Sequence, residues 1–105
     1  MTLRRGEIWY ADVPGDKRRP VVVPVVVLTR DSVLPRLSTI LVAPVTTRIR
    51  SIPTEIPVRG LPRACVANLD NITPLPKATL VELAGSLSRD EMIALCSAAR
   101  FAIGC

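Results

Sequence analysis

Gly15-Asp16-Lys17-Arg18-Arg19-Pro20-Val21-Val22-Val23-Pro24-Val25-Val26-Val27 joins the densest cluster of charge in the chain to its most hydrophobic run. Repeated valines fit a pleated, packed surface, so this run reads as a buried strand. The three cations then sit where a loop enters a rigid sheet, a position where proteins place chemistry. Pro20 is compatible with the start of a strand, because the first residue need not donate to a ladder. Pro24 interrupts the valines, and a proline there marks a bulge, an edge or a break. The repeated Pro-Val-Val-Val has the form of a local duplication.

Further strands flank this one. Residues 7–13 alternate as a first strand with Trp9 and Tyr10 on opposite faces, closed by the turn dipeptide Pro14-Gly15. Trp9 reads either as an anchor in the core or a dimer interface, or as a platform for a stacked base. Asp31 or Ser32 is placed to cap a short helical turn before Pro35. Residues 38–45 form the next strand, and its continuous apolar run from Ile40 predicts burial on both faces. Shorter strands follow at 54–58, 64–69 and 80–85, while 72–78, with Pro74 and Pro76, is an extended edge or connection.

One helix is written plainly. Ser88-Arg89-Asp90-Glu91 is a capping box, Leu87 and Met92 are spaced as a hydrophobic staple, and Gly104 supplies the stop. Met92, Leu95, Cys96, Ala99 and Ile103 make one apolar stripe that predicts packing against a sheet. Five to seven short strands and one closing helix predict a mainly β fold, a small curled sheet or barrel, in one domain over residues 1–105.

The net charge of +5 is uneven. Residues 1–63 carry eleven Lys/Arg against five Asp/Glu, whereas residues 64–105 carry three against four. Such a basic half suits nucleic acid, an acidic partner segment or anionic lipid, or is simply a solvated surface. Only Lys17 and Lys77 are lysines, and the bias to arginine suits bidentate contacts to phosphate or carboxylate. With no histidine and only Cys65, Cys96 and Cys105, unspaced for a metal, no zinc site is expected. The three thiols read as buried or incidental in a reducing compartment. Gly6-Glu7 follows Arg4-Arg5 where a signal peptide needs an apolar region, and the valine run is far shorter than the roughly 20 residues that span a bilayer. The expected location is cytoplasmic, without membrane association.

The absence of histidine removes the usual acid and base near neutral pH, and no nucleophile elbow, Walker loop or dinucleotide turn is present. Two arginine-bearing loops remain, each at the end of an apolar strand: Lys17-Arg18-Arg19, and Thr46-Thr47-Arg48-Ile49-Arg50 with its hydroxyls. If the sheet curls so that these ends meet, Arg18, Arg19, Thr46, Thr47 and Arg48 line one cationic cleft suited to a phosphodiester. RNA supplies its own 2′-hydroxyl nucleophile, so a protein need only align the attack and stabilise the developing charge. The plainer readings are a surface cation for Arg19 and, for Thr46, a strand-end hydroxyl bonded to its own backbone.

These residues resemble a known family. Arg5-Gly6-Glu7-Ile8-Trp9 with Asp12, Arg19-Pro20 before a valine run, Leu28-Thr29-Arg30-Asp31, Ala43-Pro44-Val45-Thr46 and Asn68-Leu69-Asp70-Asn71-Ile72 look, in that order, like MazF/PemK-type toxin endoribonucleases. The resemblance implies an SH3-like β-barrel with a C-terminal helix, a homodimer, and metal-independent, cofactor-free cleavage of single-stranded RNA to a 2′,3′-cyclic phosphate and a 5′-hydroxyl. It also implies a MazE-type antitoxin, whose acidic, apolar tail suits a cationic cleft, and a toxin–antitoxin complex that binds DNA. By motif match the catalytic residues are Arg19, which stabilises the phosphorane, and Thr46, which bonds the scissile phosphate. Lys17, Arg18, Thr47, Arg48, Asp70 and Asn71 are the expected RNA-binding residues, and Asp16 is an auxiliary base.

Two departures stand out. The extra Pro-Val-Val-Val means that Pro24, preceded by Val23, competes with Pro20 as the counterpart of the family proline; an insertion absorbed as a bulge or longer loop keeps Arg19 in place. Asn71 and Thr73 replace the commoner Gln and Arg, which bears on base specificity. Two other functions fit the same barrel: a topoisomerase poison of the CcdB type, and a non-catalytic RNA-binding module.

Overall fold

The computed structural model describes residues 2–14 and 20–105; Asp16, Lys17, Arg18 and Arg19 lie outside the described residues. Seven antiparallel strands and one α-helix are described: β1 (Glu7–Pro14), β2 (Pro20–Val27), β3 (Thr39–Thr46), β4 (Glu55–Val58), β5 (Cys65–Asn68), β6 (Thr73–Pro76), β7 (Leu80–Ser86) and α1 (Arg89–Ile103). The strand order is β4-β5-β3-β2-β1-β7, with β6 also on β3, so the expected curled β architecture with a closing helix is what forms.

β3 is the hub. One edge pairs Val42, Ala43 and Pro44 with Val27, Val26 and Val25 of β2. The other edge is divided: Thr39 to Val42 pair with β6, and Val45 and Thr46 pair with β5. Pro44 sits at the changeover. Leu28 N–H donates to the Leu41 carbonyl at 2.9 Å, so the polar groups of odd-numbered β3 residues face β2 and those of Pro44 face the divided edge. The donor that Pro44 lacks falls where no strand is paired to it.

The same alternation explains Pro24. Gly6 N–H donates to the Val27 carbonyl at 2.8 Å, so the odd residues of β2 face β1 and Pro24 faces the β3 side. Pairing with β3 stops at Val25, which leaves Pro24 on an open edge. On its other side the hairpin runs without a register shift from Ile8–Val26 through Tyr10–Pro24 to Pro14–Pro20. Of the alternatives for Pro24, a bulge, an edge or a break, the edge is the one that forms, and the duplication is taken up as a longer, regular hairpin. The valine run is also less buried than expected. Val25, Val26 and Val27 are enclosed, but Val21 is 44% and Val22 54% exposed, because β3 covers only the inner part of β2.

Two apolar layers lie on opposite faces of the sheet. Trp9, Val25, Val27, Ile40, Val42, Leu75 and Leu80 fill the inside of the curl. Ile8, Val26, Ala43, Val45, Ile56 and Ala67 meet Leu95 and Ala98 of α1. This double burial accounts for the continuous apolar text of β2 and β3, with the exception of Leu41, 48% exposed against the expectation from its run. Trp9 resolves as a core anchor, 6% exposed, with its indole N–H on Glu7 Oε1.

Ser88 caps α1 as expected: its Oγ accepts the Glu91 N–H at 3.1 Å while Glu91 Oε1 accepts the Ser88 N–H at 2.8 Å. Gly104 ends the helix in the left-handed region at φ 78. The packed face is rotated from the expected stripe. Leu95 and Ala98 are buried, Met92, Ala99 and Ala102 pack beside them, and Cys96 and Ile103 face outward. Small alanines permit the close helix–sheet approach that an isoleucine at the same place obstructs. The turn at Leu34–Arg36 has Val33 as its N-cap with no side-chain cap, and Pro35 lies within it. Asp31 instead accepts the Arg5 N–H at 2.7 Å. No helix among the described residues is long and apolar enough to cross a membrane.

Candidate functional site

Thr46 ends β3 opposite Val66 of β5, and the chain then leaves the sheet as a cationic loop. Its Oγ1 accepts the Arg48 N–H at 3.1 Å, the local bond common for a threonine at a strand end. The hydroxyl still has its own proton to donate. Two hollows meet at this residue. One, of about 430 Å³, is lined by Tyr10 and Pro24 from the hairpin, Thr47, and Leu61, Pro62 and Arg63 from the turn after β4. The other, of about 340 Å³, is lined by Pro44, Arg48, Arg50, Asn68 and Asn71.

The second hollow is braced from below. Glu55, at the start of β4, buries its side chain to 1% exposure and accepts two bonds from Arg50, from the backbone N–H at 2.8 Å and from Nε at 2.9 Å. The hydrogen bonds from Arg50, the side-chain bond foremost, hold the Glu55 carboxyl below its ordinary value of 4.5. Opposite Glu55 in the sheet, Asn68 is buried and its Oδ1 accepts the Asp70 N–H at 2.9 Å, which shapes the single turn Leu69–Asn71 and presents Asn71 to the hollow. Cys65, beside the first hollow, is no candidate nucleophile: burial, then the charge of Glu91, raises its pKa, and its thiol faces the Val58 carbonyl.

Of the expected site residues, Thr46, Arg48 and Asn71 come together in one hollow, and Thr47 lies in the other. Asp70 turns away, accepting the Thr54 hydroxyl at 2.5 Å, so it shapes the loop and lines neither hollow. Lys17, Arg18, Arg19 and Asp16 lie outside the described residues. The hairpin nevertheless bears on Arg19. Pro24 lines the Thr46 hollow, whereas Pro20 begins β2 four residues, roughly 13 Å of extended strand, earlier. Val23, the residue before Pro24, packs on the interior layer instead of the hollow, so that position offers Thr46 no functional group.

Sequence reasoning missed Tyr10, Arg50, Arg63, Glu55 and Asn68. Arg50 was visible in its loop, but its pairing with a carboxylate five residues on follows no helical or strand periodicity. Asn68 was visible only as part of a motif, since its role depends on a turn that bends back over it.

A family model for the PemK-like, MazF-like toxins of type II toxin-antitoxin systems matches residues 4–103. The chain belongs to that family. It is similar to a protein of Mycobacterium tuberculosis named probable endoribonuclease MazF5, 39% identical over an alignment that covers 96% of this chain and 93% of that one. A second M. tuberculosis protein, probable endoribonuclease MazF2, is 35% identical and is covered over its whole length. Among solved structures, M. tuberculosis toxin MazF-mt6 superposes with a TM-score of 0.83 at 33% identity, covering 93% of this chain and 96% of that one. A mycobacterial endoribonuclease in complex with its cognate antitoxin has the same fold, with a TM-score of 0.85 at 23% identity, over 97% of this chain and 95% of that one.

Proposed function

We propose that this PemK/MazF-family toxin is an endoribonuclease that cuts single-stranded RNA without a metal, by attack of the substrate's 2′-hydroxyl on the adjacent phosphate. The observation that carries the reading is Thr46, a hydroxyl with a proton to donate, at the meeting of two hollows, one with Arg63 in a mostly apolar wall and the other lined by Arg48, Arg50 and the amides Asn68 and Asn71. In the attack the O2′–P bond forms and the P–O5′ bond breaks. A 2′,3′-cyclic phosphate remains on one product; the 2′-hydroxyl gives its proton to water as it attacks, and the departing 5′-oxygen takes one proton from water, so the transfer balances. Thr46 donates to a non-bridging oxygen as charge accumulates there. Arg19 provides the electrostatic stabilisation of the phosphorane, since a guanidinium stays charged at neutral pH and is a poor proton donor. Lys17, Arg18 and Arg48 hold the RNA backbone, and Thr47 and Asn71 contact the nucleotides on either side.

The protein works as a homodimer in the cytoplasm, with 1–105 as one domain, and is silenced by a cognate MazE-type antitoxin. An acidic tail suits the same cationic surface as RNA does. Family membership favours this reading over a topoisomerase poison or a passive RNA-binding module.

Labelled RNA incubated in EDTA with the wild type, Arg19→Ala and Thr46→Ala tests it. Cleavage by the wild type alone is expected. Equal cleavage by all three overturns the site, and an inert wild type overturns the activity. An active Arg19→Ala beside an inactive Thr46→Ala transfers the charge-stabilising role to the arginines that line the Thr46 hollows.

A further inference from the structure

The pair Arg50–Glu55 is asymmetric in a way that ordinary surface ion pairs are not. The carboxylate is buried at 1% exposure, while the arginine side chain is 47% exposed and lines the hollow shared with Thr46, Arg48, Asn68 and Asn71. From Arg50, Glu55 accepts the backbone N–H and Nε. Among the described residues, the two terminal guanidinium nitrogens have no hydrogen-bond partner, so their donors remain available beside the hollow. The backbone is held as well. Glu55 N–H donates to the Ile52 carbonyl at 3.0 Å, closing a loop in which Ser51 takes the left-handed φ of 55. A guanidinium immobilised before it meets a ligand loses less conformational freedom on binding.

We propose that Arg50 is a further phosphate-binding residue of this site, contacting a backbone phosphate next to the scissile one, and that Glu55 is the positioning residue that holds it there. This rests on the ribonuclease reading above and adds to it a residue pair outside the expected set. An oxyanion suits the arrangement because the hollow presents donors from Arg50, Arg48 and the two amides beside one hydroxyl. Glu55 is already neutralised by Arg50, so it does not repel the incoming RNA as a free carboxylate does.

The electrostatic signs make the proposal testable. Glu55→Gln removes a negative charge from beneath a polyanion site, so a role limited to charge predicts tighter RNA binding by this variant. A positioning role predicts weaker binding. After the wild-type cleavage site is mapped, a fluorescent RNA of that sequence, with a 2′-deoxy nucleotide at the scissile position, serves as the uncleavable probe. Arg50→Ala is expected to weaken its binding roughly tenfold. The slope of log affinity against log salt falls by about 0.7, the value for one phosphate fewer neutralised on a single strand. Arg50→Lys, which keeps the charge but not the fork, recovers the slope and only part of the affinity. In cleavage, Arg50→Ala raises KM more than it lowers kcat. Arg36→Ala, at an exposed position of the turn Leu34–Arg36, is the control and leaves both unchanged.

If the wild type cleaves RNA and Arg50→Ala keeps its affinity and salt slope, the proposal is overturned while the ribonuclease reading stands. Tighter binding by folded Glu55→Gln overturns the positioning role. A wild type that neither binds nor cleaves RNA overturns both readings. Circular dichroism melting accompanies each variant, and because Arg50 is exposed, Arg50→Ala and Arg50→Lys decide the matter even if Glu55→Gln unfolds.

Discussion

Pro24 stands directly across the β1–β2 hairpin from Tyr10, and the two residues together line the hollow at Thr46. A proline within a strand thus forms part of the wall of the candidate site, and it does so at no cost to the hairpin ladder. Its missing donor faces the edge that β3 leaves open beyond Val25.

That placement predicts a contrast between two neighbours on β2. Pro24→Val restores a donor on an open edge and is expected to change stability by no more than about 0.5 kcal/mol. Val26→Pro removes a donor facing β3 at a fully buried position, and the loss is about 3 kcal/mol or more. Urea midpoints of the two variants compare them directly, and a large loss for Pro24→Val contradicts this register.

The rotated face of α1 gives a second contrast. Leu95 is 1% exposed and Ile93 is 61% exposed. Leu95→Ala is expected to cost about 2–5 kcal/mol through reduced burial and a residual cavity. Ile93→Ala stays within about 0.5 kcal/mol in the isolated chain. Thermal melts at low protein concentration report both; equal losses contradict the orientation of the helix.

Acid should erase the advantage of Glu55. Its folded-state pKa lies below the ordinary 4.5, so the folded protein favours the charged form. The resulting stabilisation is present above 4.5 and is lost as pH falls through the lower folded value. Glu55→Gln is therefore less stable than the wild type at neutral pH, and the gap narrows as the pH is taken progressively below 4.5. Denaturant titrations across that range check this, and a gap that does not change with pH rejects the carboxylate as its source.

Local chemistry made much of the fold legible in the sequence. The Ser88 box and the Gly104 stop are interactions between residues close in the chain, and both appear where their residue types predict; β1 ends at Pro14, and the expected turn at Gly15 lies outside the described residues. Partnership between distant strands was not legible. Exposure of Val21 and Val22 depends on how far β3 extends beside β2, and the fate of Pro44 depends on the changeover from β6 to β5. The site divides in the same way. Thr46, Arg48 and Asn71 could be found from a motif and a charged loop, but the brace from Glu55 and the turn around Asn68 arise only when β4 pairs with β5. Asp70, which belongs to the same motif, serves the loop through Thr54.

In the proposed reaction the RNA's own 2′-hydroxyl is the nucleophile, with Thr46 and Arg19 on the phosphate. The most direct measurement of that claim is the end chemistry of RNA cut by the purified protein in EDTA. A 2′,3′-cyclic phosphate is predicted on the upstream fragment and a 5′-hydroxyl on the downstream one, both absent with Thr46→Ala and Arg19→Ala. A 3′-hydroxyl with a 5′-phosphate, or cleavage that EDTA abolishes, contradicts it.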